Sequence, residues 1–215
     1  MCAGMRVSVR SRVGAFLAIA AVSVGAAEFT LVDRWMSVGF REGRGAADVV
    51  NTVVIHFSSN VLANRTSPYD VDAVIATYAA ADCSSHYLIG RDGTVYRLVD
   101  EAHTAYHAGA GTWRDRKDNL NPVSIGIELM GIGSAEEMEK MVGFSREEYM
   151  QIPKEHLGFT DAQYRALERL LKDIQSRHPA IQYDRQHIIG HDEYAPCRKQ
   201  DPGSLFDWGK LGLAE

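Results

Sequence analysis

The stretch VVNTVVIHF, residues 49–57, decides the fold. It is β-branched and almost continuously apolar until His56. A run of this kind reads as a strand buried in a sheet. Outward from it, residues 28–48 are polar and glycine-rich, which suggests a lead-in segment. On the other side, SPYDVDAVIATYAAA offers Asp70 as an N-cap and a helix to about Ala81. HYLIG, an Asp92-Gly93 turn and TVYRLV predict a hairpin. EAHTAYHAGAGTW has little periodicity and reads as a loop, and VSIGIEL, residues 123–129, as a second buried strand. Residues 131–158 form an acidic, methionine-containing insertion without clear pattern. Thr160 and Gln163 have the spacing of a capping box. They open a helix that carries Tyr164, Leu167, Leu171 and Ile174 on one face and is ended by Pro179. HIIG is a short last strand. Repeats and low-complexity segments are absent from the sequence, and the mixture predicts one α/β domain around a single sheet.

The chain has 215 residues, 46% hydrophobic and 24% charged, which is enough apolar material for one core. Its formal net charge of -5 argues against a nucleic-acid partner. MRVSVRSRVGAFLAIAAVSVGAAEF, residues 5–29, places Arg6, Arg10 and Arg12 before an apolar run that ends in small residues. This is the pattern of a secretory signal peptide, with cleavage expected after Ala26 or Ala27. The run is short for a membrane span, so no stable span is expected after cleavage. The alternative is an ordinary N-terminal helix. Export would leave Cys83 and Cys197 either paired or as two free thiols.

Three places carry candidate chemistry. Period-two alternation puts Ser124, Gly126 and Glu128 on one strand face and Val123, Ile125, Ile127 and Leu129 on the other. Glu128 is then a cleft carboxylate or a structural glutamate with a basic partner. His56 ends an otherwise apolar strand, where it is either packed in the core or part of a site. The third place is GHDEYAPCRKQDPG, residues 190–203, where His191 follows a strand and Asp201 comes ten residues later. Histidine and carboxylate ligands with an open position suit catalytic zinc, although spacing alone is weak evidence. His103 and His107 stand four apart, but the glycines that follow make them loop residues. His86 reads as a strand residue near the same cleft, and His156, His178 and His187 as surface or packing residues.

Taken in order, VVIHFSS, SSHYLIGRDGTVYRLVDE, AYHAGAGTWR, NPVSIGIELMG and GHDEYAPCRKQDPG resemble the zinc-dependent N-acetylmuramoyl-L-alanine amidases of the type-2 family, related to the peptidoglycan recognition proteins. The resemblance implies a single α/β domain with a central mixed sheet flanked by helices. It implies one zinc per chain on His56, His191 and Asp201, with Glu128 as the catalytic glutamate and Lys199 as an assisting lysine. His107 matches a cleft-lining position usually preceded by Trp, where Tyr106 stands here. His86, His107 and Asn121 are the expected substrate-binding residues. Cys197 lies where relatives often carry Gly and is not an expected ligand. The expected organisation is a signal peptide over residues 1–27, a lead-in over 28–48 and a catalytic domain over 49–215. The implied substrate is peptidoglycan or a muropeptide, and the implied place is the periplasm or outside the cell. A muropeptide-binding module of the same fold is the competing reading, discounted because all three ligand residues are present. An unrelated zinc peptidase has no support in the matched blocks.

Overall fold

The computed structural model describes residues 30–214. In chain order the elements are β1 (Leu31–Asp33), β2 (Phe40–Arg41), β3 (Thr52–Ser58), α1 (Val71–Ala80), β4 (Tyr87–Ile89) and β5 (Val95–Arg97). They continue with β6 (Thr104–Ala105), β7 (Thr112–Trp113), β8 (Arg116–Lys117), β9 (Ser124–Met130), α2 (Ala135–Val142) and α3 (Arg146–Met150). Then come α4 (Asp161–Arg177), β10 (Ile188–Gly190) and the single turn α5 (His191–Tyr194), followed by a 3-10 turn at Trp208–Leu211. Six strands form the central sheet in the order β1-β5-β4-β9-β3-β10. It is mixed: β4 and β5 are an antiparallel hairpin, and the other four pairings are parallel.

The run that opened the sequence reading is the strand between β9 and β10, and every residue of β3 but Ser58 is buried. Covering on both faces is why it reads as continuously apolar. Val53 and Ile55 meet Ile125, Ile127 and Leu129 on one face, under α4. There Tyr164, Leu167, Leu171 and Ile174 are buried as their spacing predicts. Thr160 accepts from the Gln163 N–H at 3.1 Å, and the Gln163 side chain accepts from the Thr160 N–H at 2.9 Å. Both halves of that capping box form. Asp70 caps α1 by accepting from the Ala73 N–H at 2.7 Å. In the hairpin turn Gly93 takes φ +87°, a conformation open to glycine at little cost.

The opposite face is covered unevenly. Val74 and Tyr78 of α1 pack on Leu88 and Met130. Ala108, Leu120, Val123 and Tyr194 pack on Val54 and Ile189. Between these two clusters the sheet stays open, and His56 and Glu128 stand there.

Two expectations change. Residues 28–48 are, in their described part, built into the domain and do not merely lead to it. Leu31–Asp33 is the edge strand beside β5, and Phe40–Arg41 pairs with β6. A three-residue edge strand carries too short a pattern to be read from sequence. The patternless insertion 131–158 holds two short helices around a small core of Ile132, Met138, Phe144 and Ile152, with Phe57 and Val61. Glu137 accepts from the Ser134 N–H, and Glu148 from the Ser145 N–H. The Ser-x-x-Glu spacing of both caps is visible in SAEE and SREE. The expected signal peptide lies outside the described residues, as does the export it implies. Among the described residues no helix is long and apolar enough to cross a membrane.

Candidate metal centre and active site

The gap on the open sheet face is a cleft of about 420 Å³. The register sets His56 of β3 directly beside Glu128 of β9, both pointing into it. His191 enters from the first residue of α5, where β10 delivers it next to β3. Asp201 arrives on the following loop, tied back by its carbonyl, which accepts from the Asp192 N–H at 2.7 Å. His56, His191 and Asp201 are 2%, 1% and 4% exposed.

Their donor chemistry identifies what they can hold. The Asp201 Oδ2 lies 2.8 Å from His56 Nδ1 and 3.0 Å from His191 Nδ1. The far nitrogen of His191, Nε2, faces the carbonyl of Ala108 at 2.8 Å. A carbonyl can only accept, so Nε2 carries the proton of a neutral ring and Nδ1 presents a lone pair. Burial and the neighbouring His191 hold the His56 imidazole down to about 4, against the pull of Asp201. Burial would raise the Asp201 carboxyl, but the close approach of the His191 and His56 imidazoles outweighs that and holds it well below the usual range. Neutral imidazoles and an ionised carboxylate therefore converge, with their ligand atoms within 4.8 Å of one another. The second Asp201 oxygen, Oδ1, is buried without a partner. A buried convergence of lone pairs calls for a cation, and two histidines with one carboxylate suit a zinc ion with an open position.

Glu128 lines the same cleft, and its Oε2 is buried without a partner. Burial, then the Asp201 charge, pushes its carboxyl up to about 8, opposed by Lys199. Lys199 also lines the cleft, and among the described residues no carboxylate lies within ion-pair distance of it. One cleft thus brings together His56, His191, Asp201, Glu128 and Lys199.

The three expected substrate-binding residues fare differently. His86 is fully buried and does not line the cleft, which corrects its expected role as a substrate contact. Its Nδ1 accepts from the Gly126 N–H at 3.0 Å and its ring meets His107 edge-on at 5.8 Å between centroids, so it holds β9 beneath the cleft. Asn121 lines the cleft, but its Oδ1 accepts from the N–H groups of His107 at 3.2 Å and Ala108 at 2.8 Å. His107 lines the cleft with both ring nitrogens already facing protein partners. His103 stacks on Phe40 and makes no pair with His107. Cys83 lines the cleft, Cys197 is exposed, and both are free thiols.

The sequence reading missed two arginines. Arg198 donates to the carbonyls of Ala108 and Ala110, clamping the HAGAG loop to the metal loop. Arg44 donates to the carbonyls of Glu101, Asn121, Pro122 and Ser124 behind the cleft. Its position in a polar stretch held no signal, although Arg198 adjoins a residue already singled out.

Residues 46–204 match the family model described as N-acetylmuramoyl-L-alanine amidase. The chain belongs to this amidase family. Among its relatives is the N-acetylmuramoyl-L-alanine amidase AmiD of Escherichia coli K12, 32% identical over 80% of this chain and 55% of AmiD. The chain thus spans about half the length of that curated relative. The amidase fold recurs in the crystal structure of an AmpD derivative, with TM-score 0.61, 28% identity, and coverage of 87% of this chain and 96% of that one. It recurs also in E. coli AmiD complexed with anhydro-N-acetylmuramic acid-L-Ala-D-γ-Glu-L-Lys, with TM-score 0.57, 30% identity, and coverage of 82% and 67%.

Proposed function

We propose that this chain is a zinc-dependent N-acetylmuramoyl-L-alanine amidase. The bond cut joins the lactyl group of N-acetylmuramic acid to L-alanine of the stem peptide, in peptidoglycan or a muropeptide. The observation that carries this is the meeting of His56, His191 and Asp201 in one buried cluster, beside an unpartnered Glu128 oxygen in an open cleft. The substrate seen in the AmiD complex supports a muropeptide as ligand.

Zinc held by His56, His191 and Asp201 would polarise the amide carbonyl and make a water acidic enough to attack at neutral pH. With Lys199 beside it and a cation on the neighbouring site favouring its ionised form, Glu128 takes the proton of the attacking water and passes it to the leaving amine of L-alanine. Lys199 turns its ammonium toward the oxygen that gains charge as the carbonyl carbon becomes tetrahedral, an interaction commonly worth roughly 3 kcal/mol of barrier. His191 and His56 present the Nδ1 lone pairs, and Asp201 the carboxylate that its histidine neighbours hold low despite its burial.

Purified protein should contain about one zinc ion per chain. Incubated with the anhydro-muropeptide, it should release a peptide with a free L-alanine amine, read by mass spectrometry. His191→Ala should lose both zinc and cleavage. A wild-type protein that binds the muropeptide and leaves it intact would be a binding module instead.

Export belongs to the same proposal. It rests on Arg6, Arg10 and Arg12 before the apolar run. N-terminal sequencing of protein from the cell envelope should begin at Ala27 or Glu28, and an uncleaved cytoplasmic chain would defeat it.

A further inference from the structure

We propose that His107 is a positioning residue that sets the tautomer of His56 and so aims its lone pair at the metal. This rests on the zinc site proposed above. The chain of hydrogen bonds starts at Ser124, which is fully buried and donates its hydroxyl to the Leu120 carbonyl at 2.8 Å. Its only proton is then used, so the 3.1 Å contact with His107 Nε2 requires Nε2–H to donate to Ser124 Oγ. A neutral His107 is left with a lone pair on Nδ1, 3.1 Å from His56 Nε2. His56 Nε2 must donate there, and its Nδ1 keeps the lone pair that faces Asp201.

The two imidazoles of the site are thus oriented by different means. His191 is fixed by a backbone carbonyl, which no substitution removes. His56 is fixed by a side chain, which can be removed. The His107 ring is itself tightly placed. Its backbone N–H is bound by Asn121, and it meets His56 edge-on at 5.2 Å between centroids. It lies over Gly126, where any Cβ would come within 2.5 Å of its Cγ. This accounts for a glycine in the middle of SIGIE. Both ring nitrogens being committed, His107 has none to offer a substrate.

The test compares His107→Leu with His107→Asn, whose side-chain oxygen stands near the Nδ1 position and can accept from His56. Zinc affinity is measured by chelator competition. Imidazole tautomers in the zinc-loaded protein are read by nitrogen NMR, including the coupling across the His56 Nε2–H···Nδ1 His107 bond. His107→Leu should bind zinc ten to a hundred times more weakly, the usual effect of losing an outer-shell partner, and His107→Asn should recover most of the loss. KM measured at saturating zinc should stay near wild type in both. Unchanged zinc affinity in His107→Leu, or an affinity that His107→Asn fails to recover, overturns the proposal. So does a raised KM as the sole change, which would make His107 a substrate contact. A wild-type chain that takes up no zinc sinks the metal site itself, whereas a zinc-binding wild type with an indifferent His107 sinks this inference alone.

Discussion

At the scale of single residues, Glu128 separates an enzyme from a binder. It stands beside His56 in register but is not a ligand. Glu128→Gln keeps the shape and removes the base. Zinc content and muropeptide affinity should persist while turnover falls by roughly 10² to 10⁴. Near-normal cleavage would rule Glu128 out, and lost zinc would mean that the ligand set is wrong. Strand alternation made the direction of this side chain legible, since it shares its face with Ser124 and Gly126 and not with Ile125, Ile127 and Leu129. The tautomers of the site histidines were not legible. They depend on Ser124, itself bound to the Leu120 carbonyl, and on Ala108, which meet the rings only after folding.

Among the elements, Glu101 ties the end of α4 to the sheet. It accepts from Tyr87 at 2.6 Å and Arg177 at 2.8 Å, with His178 at 2.7 Å. Burial would raise its carboxyl, but the hydrogen bonds from Arg177 and Tyr87 prevail and hold it at about 2, against 4.5 when free. Its folded value is the lower one, so its stabilisation is full above about 4.5 and lost as pH falls through about 2. Glu101 is 13% exposed and Arg177 39%, so the carboxylate is the sounder guide to size. It corresponds to about 3 kcal/mol. The stability gap between wild type and Glu101→Gln should close over that window in acid denaturation; a gap that stays constant would refute the clamp. Glu137 joins the insertion to the metal loop, accepting from the Ser134 N–H at 2.7 Å and the Ser204 N–H at 2.6 Å. Glu137→Ala should cost about 1–3 kcal/mol by denaturant unfolding, from a lost cap and an unsatisfied donor. Helix caps are local, so the boxes at Thr160 and Ser145 are readable in sequence. The bond to Ser204 crosses 67 positions and is not.

For the whole molecule, a metal on the proposed site would be a cross-link. His56 and Asp201 lie 145 positions apart and join β3 to the C-terminal loop. Zinc on the proposed site would bind only the folded form and so should stabilise by about 4 kcal/mol at a thousand times its Kd. At roughly 2–4 °C per kcal/mol for a chain of this size, chelation should lower Tm by on the order of ten degrees. Calorimetry with and without chelator checks this, and in His56→Ala the difference should vanish. An equal shift in that variant would place the stabilising metal elsewhere.

What the sequence determined by itself was local or ordered along the chain. The apolar run at 49–57, the hairpin turn at Gly93, the cap at Thr160 and the helix face from Tyr164 to Ile174 all follow from short-range backbone preference and periodicity. The five motif blocks in order pointed to the family and, through it, to His56, Glu128, His191, Lys199 and Asp201. Only the tertiary structure decided that His86 is bound to Gly126 of β9, that His107 meets His56, and that Arg44 belongs to the domain. Each of these is a pairing between segments distant in sequence. Such pairings are settled by which faces of the sheet get covered and by which buried donors and acceptors remain to be satisfied, and neither is a property of neighbouring residues.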